Sequence, residues 1–478
     1  MKYSSTPIKK KFTLTHKVNS VLKFINFFSN KLNKEVRKIN FFDIPNNEVM
    51  FFFKKSIFNT FEFKSLKFSK KNSLIYLPYY ILIFVIYSFY IFFYKCRKKR
   101  NLKKYDLLID NLESDEEVKL YKDLEVFLDK KKYIFRVTKK ELSNDNKIFL
   151  PRFKNYNLSF KDFLNLYKIL FKSIVISIKF KFNFVYYSIK LIDEVFYYEN
   201  LFRTVRPKNI IMHQHYLSSN IKNYLFKKYD GKKTCLIQKN INTINKNGFF
   251  YDADIFFSIG KYTSNNNKFT KSRIQKNIPI GSIFMNRSKK DINKFYKKNL
   301  KKYDILCIAG TGLHPGSNYD TYQSYSHDYI ETFNWLIKFK KKFPKLKIAL
   351  KQRGSANNKF EENLLRKSKI DILNKNNDSY VECMKSKFLC SWCSTMIVEF
   401  KYLNTNSYFL DPGLRNDQFM SLLFKSKPLR INDYAEFERL ALKALKMKKK
   451  YKLEKKYIGY NSDYNNVIKK VCLHLKII

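Results

Sequence analysis

A junction of small polar residues between an apolar stretch and a helical pattern is the part of this sequence best suited to bind phosphate. It reads KFLCSWCSTMIVEF over residues 387–400, so Ser394 and Thr395 follow a strand pattern and precede a helical one. A capped helix start beyond the carboxyl end of a parallel strand binds phosphate. Glu399 lies one helical turn further, near the face of Thr395. The alternative is an ordinary helix cap with a surface glutamate.

A glycine-rich segment provides a second candidate for contact with phosphate. The segment GTGLHPG, residues 310–316, follows the apolar run YDILCIA and contains Gly310, Gly312 and His314. Glycines at a strand end let the backbone approach a phosphate closely, and His314 could touch the diphosphate or the transferred group. The pattern is neither a Walker motif nor GxGxxG, so an ordinary turn is the alternative.

Two histidines provide candidates for a general base. His213 and His215 end the strand pattern NIIMHQ, and the alternation of strand side chains would place both on one face. Asp252 and Asp254 are carboxylate alternatives for the same role, and two structural histidines are a further alternative.

The cysteines argue against both a disulfide framework and a zinc site. There are seven, scattered and mostly inside apolar runs, which is typical of reduced core thiols. Cys390 and Cys393 have CxxC spacing, but no second CxxC or histidine pair accompanies them. We therefore expect no resident metal.

The charge of the chain is strongly positive without a nucleic-acid motif. The formal net charge is +55, and lysines occur along the whole of the 478 residues. A solvated basic surface, or attraction to anionic lipid, accounts for this as well as nucleic acid does. We expect an anionic membrane surface as a partner, and no nucleic acid.

An uncharged stretch of 21 residues, 74–94, is long enough to span a bilayer. Lysines flank it on both sides, at Lys70, Lys71 and within 95–100, so the positive-inside rule assigns no orientation. A helix lying in the membrane interface and a buried core helix are the alternatives.

Strand patterns separated by helical patterns predict two α/β units with parallel sheets. We expect a cleft between two Rossmann-like, doubly wound domains, preceded by a basic N-terminal segment that contains the apolar helix. Short apolar runs such as YDLLID, KYIFRV and PIGSIF are the predicted strands of the first unit. The predicted segments are a basic N-terminal region, a first domain, a lysine-rich linker, a second domain and a basic helical tail, over 1–103, 104–286, 287–302, 303–440 and 441–478.

Several motifs taken together resemble GT-B glycosyltransferases of bacterial surface and capsular polysaccharide synthesis. The nucleotide-binding half is similar to that of the CDP-glycerol glycerophosphotransferases of teichoic acid synthesis. The motifs are SWCSTMIVE, LKIALKQRGS, LIQKN and ADIFFSIGKYT. The resemblance covers roughly residues 104–440. Where that family has His-Gly after a strand-end Gln, this chain has Lys239 and Asn240 after Gln238.

The resemblance implies roles for particular residues. Lys351 and Arg353 stand where the family has a Lys-Pro-His-Pro-like loop, and would add positive charge near the diphosphate. Ser394 and Thr395 match a Ser-Ser-Thr-like turn that would hold the diphosphate, and Glu399 would accept hydrogen bonds from a ribose or sugar hydroxyl.

The resemblance also implies an activity, namely transfer of a glycosyl or polyol-phosphate group from a nucleotide-activated donor to a glycan or lipid-linked acceptor. The donor is a substrate, and no cofactor is expected. Because such donors are cytosolic, the expected location is the cytoplasmic face of the inner membrane, single-pass or peripheral. The alternatives are a non-catalytic assembly protein of the same fold and a sugar-nucleotide epimerase.

Overall fold

A computed structural model describes most of the chain. The described residues are 14–62, 67–93, 103–144, 146–150, 158–239, 248–260, 270–298, 301–309, 322–352, 359–374, 376–392, 394–400, 406–412, 430–447 and 466–478.

The first domain is built on a seven-stranded sheet in which all neighbouring strands are parallel. Its spatial order is β5-β4-β3-β6-β7-β8-β9, so the winding reverses between β3 and β6. Ligands of such sheets bind beyond the carboxyl ends of the strands at this switch point. The strands are β3 (Lys103–Leu112), β4 (Tyr133–Val137), β5 (Lys147–Phe149), β6 (Val205–Met212), β7 (Lys233–Ile237), β8 (Asp252–Ser258) and β9 (Arg273–Pro279).

The second domain repeats this topology with six parallel strands in the order β12-β11-β10-β13-β14-β15. Its switch point lies between β10 and β13, whose apolar side chains are buried on both faces. The doubly wound α/β class is therefore confirmed for both domains. The strands are β10 (Tyr303–Ile308), β11 (Ile348–Lys351), β12 (Asp371–Leu373), β13 (Ser386–Ser391), β14 (Ser407–Leu410) and β15 (Arg430–Ile431).

Helices cover both sheets, and a short antiparallel pair of strands, β1 (Phe61–Glu62) and β2 (Lys67–Phe68), precedes them. The α-helices of the described residues are α1 (Leu14–Val36), α2 (Asn46–Thr60), α3 (Leu77–Phe93), α4 (Asp115–Lys119), α5 (Leu124–Phe127), α6 (Phe160–Phe180), α7 (Phe184–Thr204), α8 (Asn220–Lys228), α9 (Ile283–Arg287), α10 (Lys289–Lys298), α11 (Tyr322–Lys342), α12 (Lys359–Leu365), α13 (Ser379–Met384), α14 (Met396–Phe400), α15 (Tyr434–Lys446) and α16 (Val467–Leu475).

The N-terminal helices belong to the core of the first domain, whereas the sequence suggested a separate basic segment over 1–103. Val18, Ile25 and Phe53 are fully buried in one cluster with residues of α6, α7 and the sheet. Polar contacts fix the same arrangement, because the Tyr187 hydroxyl lies 2.6 Å from Thr60 Oγ1 and donates to Asn72 Oδ1 at 2.8 Å.

The apolar stretch forms α3, and Leu74–Phe93 is the helical stretch among the described residues long and apolar enough to cross a membrane. One face of α3 packs on the first domain through Phe84, Ser88 and Ile91, which are buried. The Tyr87 hydroxyl donates to Asp193 Oδ1 on α7 at 3.2 Å. The helix therefore lies along the domain surface, with its other face exposed.

The connection between the domains is helical and packed. The strand predicted over PIGSIF, residues 279–284, is wrong, because β9 ends at Pro279 and α9 begins at Ile283. Ser282 caps this helix by accepting from the Met285 N–H. In the predicted linker, Ile292 of α10 is buried in the core of the second domain.

The end of the chain also differs from the predicted tail at 441–478. Helix α15 runs through residue 440 and packs on the second sheet, with Phe437 and Ala441 buried there. Helix α16 returns to the first domain, where Val471 and Cys472 are buried against its core.

Substitution of Phe53 tests whether α2 is part of the first-domain core. Phe53 is fully buried, and its ring centroid lies 4.8 Å from that of Phe184. We expect Phe53→Ala to lower the free energy of unfolding by about 3–5 kcal/mol, because a large cavity forms. The exposed Phe27→Ala on α1 is the control, with an expected change within about 0.5 kcal/mol. Equal effects in urea unfolding followed by circular dichroism would show that α2 lies outside the core.

Candidate functional site

The carboxyl edges of the two sheets meet where the domains touch. Ser282 follows the end of β9 in the first domain, and Tyr380 begins α13 beyond β12 in the second. The rings of Phe284 and Tyr380 stack with centroids 6.4 Å apart. One helical turn away, the Ser288 hydroxyl donates to Asp378 Oδ2 at 2.7 Å. The ends of the strands of both domains are thus brought together, which is where ligands of doubly wound sheets bind.

The switch point of the second sheet is held by a chain of serine hydrogen bonds. The Ser391 hydroxyl donates to the Ile308 carbonyl at 2.7 Å and so ties the end of β13 to the end of β10. The Ser394 N–H donates to Ser391 Oγ at 3.0 Å, and Ser394 Oγ accepts from the Met396 N–H at 3.4 Å. Ser394 therefore caps α14, as the sequence predicted, and Thr395 occupies the first turn.

Glu399 lies on α14 beneath this junction and is buried rather than on the surface. Its Oε2 accepts from the Tyr380 hydroxyl at 2.6 Å, while Oε1 has no hydrogen-bond partner among the described residues. Burial raises the pKa of Glu399 to about 7, while the nearby hydroxyls of Tyr380 and Ser282 oppose this shift. Glu399 thus has one unused acceptor atom at the junction of the domains.

Lys351, which the resemblance placed near the diphosphate, ends β11 and is enclosed by neighbouring backbone. The side chain is buried, and Nζ donates to the carbonyls of Gln352 at 3.1 Å and Asn374 at 3.2 Å. Burial lowers the pKa of Lys351, while Cys383 and Glu382 nearby on α13 oppose that shift. In this arrangement Lys351 ties the ends of β11 and β12 together.

The other predicted donor contacts lie outside the described residues. They are Gly310, Gly312, His314 and Arg353, whose roles remain predictions.

His213 is enclosed by the first domain. Its Nδ1 lies 2.9 Å from the Tyr121 hydroxyl, and Nε2 lies 3.3 Å from Glu117 Oε1. Burial lowers the pKa of His213, so the ring is neutral near pH 7. Burial also opposes ionisation of Glu117, but hydrogen bonds from His213, the Glu113 N–H and Lys239 lower the pKa of Glu117 to about 2. Both ring nitrogens of His213 therefore face protein groups.

His215 faces the opposite side of the sheet, so the prediction that both histidines share one face is wrong. Strand β6 ends at Met212, and the chain enters a 3₁₀ turn at His215, so strand alternation stops between the two. The His215 ring packs near Tyr251 and Phe256, with centroids 5.5 and 5.9 Å away. Its Nδ1 accepts from the Lys239 N–H at 3.2 Å, which in a neutral ring places the proton on Nε2.

A buried ionic cluster at the switch point of the first sheet was not found from the sequence. Asp110, near the end of β3, is fully buried and pairs with Arg136 of β4 and Lys222 of α8. The Lys222 Nζ lies 2.6 Å from Asp110 Oδ2. Burial raises the pKa of Asp110, but the two cations outweigh it and lower that pKa to about 2. The signal available in the sequence was a charged residue inside each of the strand patterns YDLLID and KYIFRV.

Two cavities border the first domain. A pocket of about 290 Å³ lies beside the ionic cluster, with Asn111, Arg136 and Lys222 in its wall. A larger one, of about 690 Å³, lies between α6, α7 and the loop after α1, and none of the strands contributes to its wall. The smaller pocket is therefore the one associated with the carboxyl edge of the sheet. No group of three His, Cys, Asp or Glu side chains within the described part of the chain could hold a metal.

Comparison with known proteins gives likeness in structure alone, since no family model and no curated protein sequence matches this chain. The S. aureus MnaA–UDP co-structure is similar at 12% identity and a TM-score of 0.40, over 78% of this chain and 98% of that one. The Wall Teichoic Acid Polymerase TagF with CDPG is similar at 11% identity and a TM-score of 0.41, over 89% and 98%. Acinetobacter baumannii MurG is similar at 9% identity and a TM-score of 0.39, over 79% and 100%. At these values the likeness extends to the fold only, and the roles discussed below rest on this chain's own residues.

The raised pKa of Glu399 predicts a pH dependence of stability. Its pKa rises from 4.5 to about 7 on folding, so the folded state binds more protons between these values. Stability is therefore highest below about pH 4.5 and falls as the pH rises towards 7, by at most about 3 kcal/mol from this group. Glu399→Gln should remove this contribution and still accept from Tyr380. The exposed Glu362→Gln should leave the profile of urea midpoints against pH unchanged. If Glu399→Gln also leaves this profile unchanged, the Glu399 carboxylate is not buried.

Proposed function

We propose that this protein is a GT-B-like transferase. It would move a glycosyl or polyol-phosphate group from a nucleotide-activated donor to a glycan or lipid-linked acceptor in cell-envelope polysaccharide synthesis. The observation that supports this most directly is the unused, buried acceptor atom of Glu399 beside the Ser394–Thr395 turn, where the carboxyl edges of the two sheets meet.

The second domain would bind the donor. Hydroxyl and backbone groups of Ser394 and Thr395 would bind the diphosphate, and Glu399 Oε1 would accept from a ribose or sugar hydroxyl. A hydrogen bond from that hydroxyl stabilises the ionised carboxylate and offsets its burial. Donor binding would thereby also relieve the unfavourable burial of a charge at the domain contact.

The first domain would bind the acceptor. Of its two histidines, His215 is better suited than His213 to take part in the transfer reaction. The neutral ring carries its proton on Nε2 as long as Nδ1 accepts from the Lys239 N–H. In that state His215 Nε2–H can only donate a hydrogen bond. To act as a base through Nε2, His215 would have to give up the hydrogen bond from the Lys239 N–H and carry its proton on Nδ1. His213 would position the loop, because its ring is buried with Nδ1 beside the Tyr121 hydroxyl and Nε2 beside Glu117.

The burial of both histidines also favours a second candidate, a non-catalytic assembly protein that retains the fold. A donor-binding protein that turns over with an added acceptor would support the transferase. Absence of nucleotide binding in a thermal-shift screen of the full chain against UDP-, GDP-, CDP- and CMP-linked donors would support the assembly protein.

Alanine substitution tests the donor half-site. Replacing both Ser394 and Thr395 should weaken donor binding by about 1–3 kcal/mol, because hydrogen bonds to a charged group are lost. Ser159→Ala is the matched control, since Ser159 caps α6 of the first domain through a capping box with Asp162. It should lower the melting temperature and leave donor affinity in calorimetry unchanged. Equal donor affinity in the wild type and the double variant would overturn the phosphate assignment.

We further propose that the protein lies on the cytoplasmic face of the inner membrane as a peripheral protein. Helices α3 and α6 pack together, with Phe92 and Phe163 rings 4.5 Å apart, and each exposes apolar side chains on the side away from the core. We call this the two-helix surface. Its exposed side chains are Tyr79, Leu82, Ile86, Phe89, Tyr90 and Phe93 of α3, and Phe160, Leu164, Phe171, Val175 and Ile178 of α6.

The charge beside this surface favours an anionic bilayer as its occupant. On α6, four exposed lysines follow one another at intervals of seven, four and seven residues, in a column next to the apolar stripe. They are Lys161, Lys168, Lys172 and Lys179. A helix with an apolar stripe flanked by lysines lies in the interface of anionic membranes. Packing of one face of α3 on the domain supports such a placement over a helix surrounded by lipid.

Vesicle binding tests the two-helix surface. Phe171→Glu on α6 should weaken binding to vesicles that contain phosphatidylglycerol by at least about tenfold, because burial of an aromatic ring is lost and a like charge is added. Val126→Glu is the control, since Val126 is an exposed residue of α5 away from this surface. Equal co-sedimentation of the two variants with the vesicles would exclude α6 from the membrane contact. Retention of the wild type in membranes after carbonate extraction would instead support a spanning helix.

A further inference from the structure

The pocket of about 290 Å³ at the carboxyl edge of the first sheet lies at the switch point between β3 and β6. Its wall combines these strand ends with α7, α8 and α2. Helix α2 contributes Lys55 and Asn59, so residues N-terminal to the predicted first domain complete the pocket. Its volume is at the lower end of small-molecule sites, and suits one functional group rather than a nucleotide.

Positively charged side chains outnumber carboxylates in the wall of this pocket. Lys55, Arg136 and Lys222 line it, and Glu194 is the carboxylate among the lining residues. Asp110 lies behind the wall and is shared by Arg136 and Lys222, and Lys55 is attracted by Glu194 and by Asp252. Burial lowers the pKa of Lys55 to about 8 and raises that of Glu194.

Hydrogen-bond donors also face this pocket. Asn111 Oδ1 accepts from Arg136 Nη2 at 3.4 Å, which leaves Asn111 Nδ2 buried without a partner among the described residues. The backbone of Asn111 has a φ of 68°, at an irregularity near the end of β3 where its register against β4 shifts. Ser218 and Ser219 line the pocket at the start of the nine-residue helix α8, a position that favours negative charge.

We propose that this pocket binds an anionic group, a phosphate or a carboxylate, carried by the acceptor. The inference rests on the proposed transferase function for the acceptor, and on the pocket itself for the anion. Three cations in the wall, an amide donor without a partner among the described residues and a helix start all favour the same ligand chemistry. The group would bind between Lys55 and Asn111, and the acceptor chain would leave through the side of the pocket where Asn59 is exposed.

Anion binding by the full-length protein tests this assignment. Inorganic phosphate, titrated at constant ionic strength and followed by calorimetry, should bind saturably to the wild type. Asn59 is exposed, so substitutions there leave the fold intact: Asn59→Asp should weaken phosphate binding about three- to fivefold, and Asn59→Lys should tighten it by a similar factor. Lys55→Met should weaken it at least about tenfold, because a charged hydrogen-bond donor is removed.

Lys54→Gln is the matched control for charge, because Lys54 lies on the same helix outside the pocket wall. If Lys54→Gln weakens phosphate binding as much as Asn59→Asp does, the effect comes from the general charge of the protein and the proposal is wrong. Glycerol phosphate should compete with inorganic phosphate for one site. If it does not, the pocket takes only a free anion, and the acceptor assignment is wrong.

The outcome is separable from that of the donor site. Glu399→Gln should leave phosphate binding at this pocket unchanged. Phosphate binding that responds to Asn59 in a protein without nucleotide affinity would support the anion pocket and overturn the transferase.

Discussion

The carboxylate of Asp110 is the group on which the carboxyl edge of the first domain depends. It is fully buried, and its two oxygens hold Arg136 of the neighbouring strand and Lys222 of α8. The Asp110 carbonyl also accepts from the His213 N–H at 3.2 Å. One residue thus fixes strand β4, helix α8 and the loop after β6 relative to β3. Loss of this carboxylate alone would leave two buried cations without their partner, at a cost of about 3–5 kcal/mol.

The same physical constraint, a buried charge that needs a partner, recurs where the two domains meet. Glu399 accepts from Tyr380, keeps one oxygen unused and has a pKa raised by burial. In the first domain cations outnumber carboxylates in the pocket wall, and in the second a carboxylate is buried away from solvent. Both sites lie beyond the carboxyl ends of parallel strands, where the chain leaves the sheet and backbone groups become available to ligands. An incompletely compensated charge at such a position is more typical of a binding site than of a stabilising contact.

The N-terminal helices connect these sites to the surface of the molecule. Helix α2 packs into the first-domain core through Phe53 and also supplies Lys55 to the pocket. Helix α3 packs through one face and exposes the other, beside the lysine column of α6. The region predicted to be a separate basic segment therefore contributes to stability, to the pocket proposed to bind an anion and to the surface proposed to contact a bilayer.

Apolar runs and their helical spacing in the sequence determined the α/β class, most of the strands and the cap at Ser394, because these depend on neighbours within a few residues. The polar strand β9 was missed, since RIQKNIP lacks the apolar alternation on which strand prediction rests. Tertiary structure alone decided the pairing of Asp110 with Lys222, which are 112 residues apart, and the burial of Glu399 under Tyr380. It also separated His213 from His215, because the strand ended one residue before the first of them. Local sequence sets which elements form, whereas the partners of a buried charge come from distant segments that only the folded chain brings into contact.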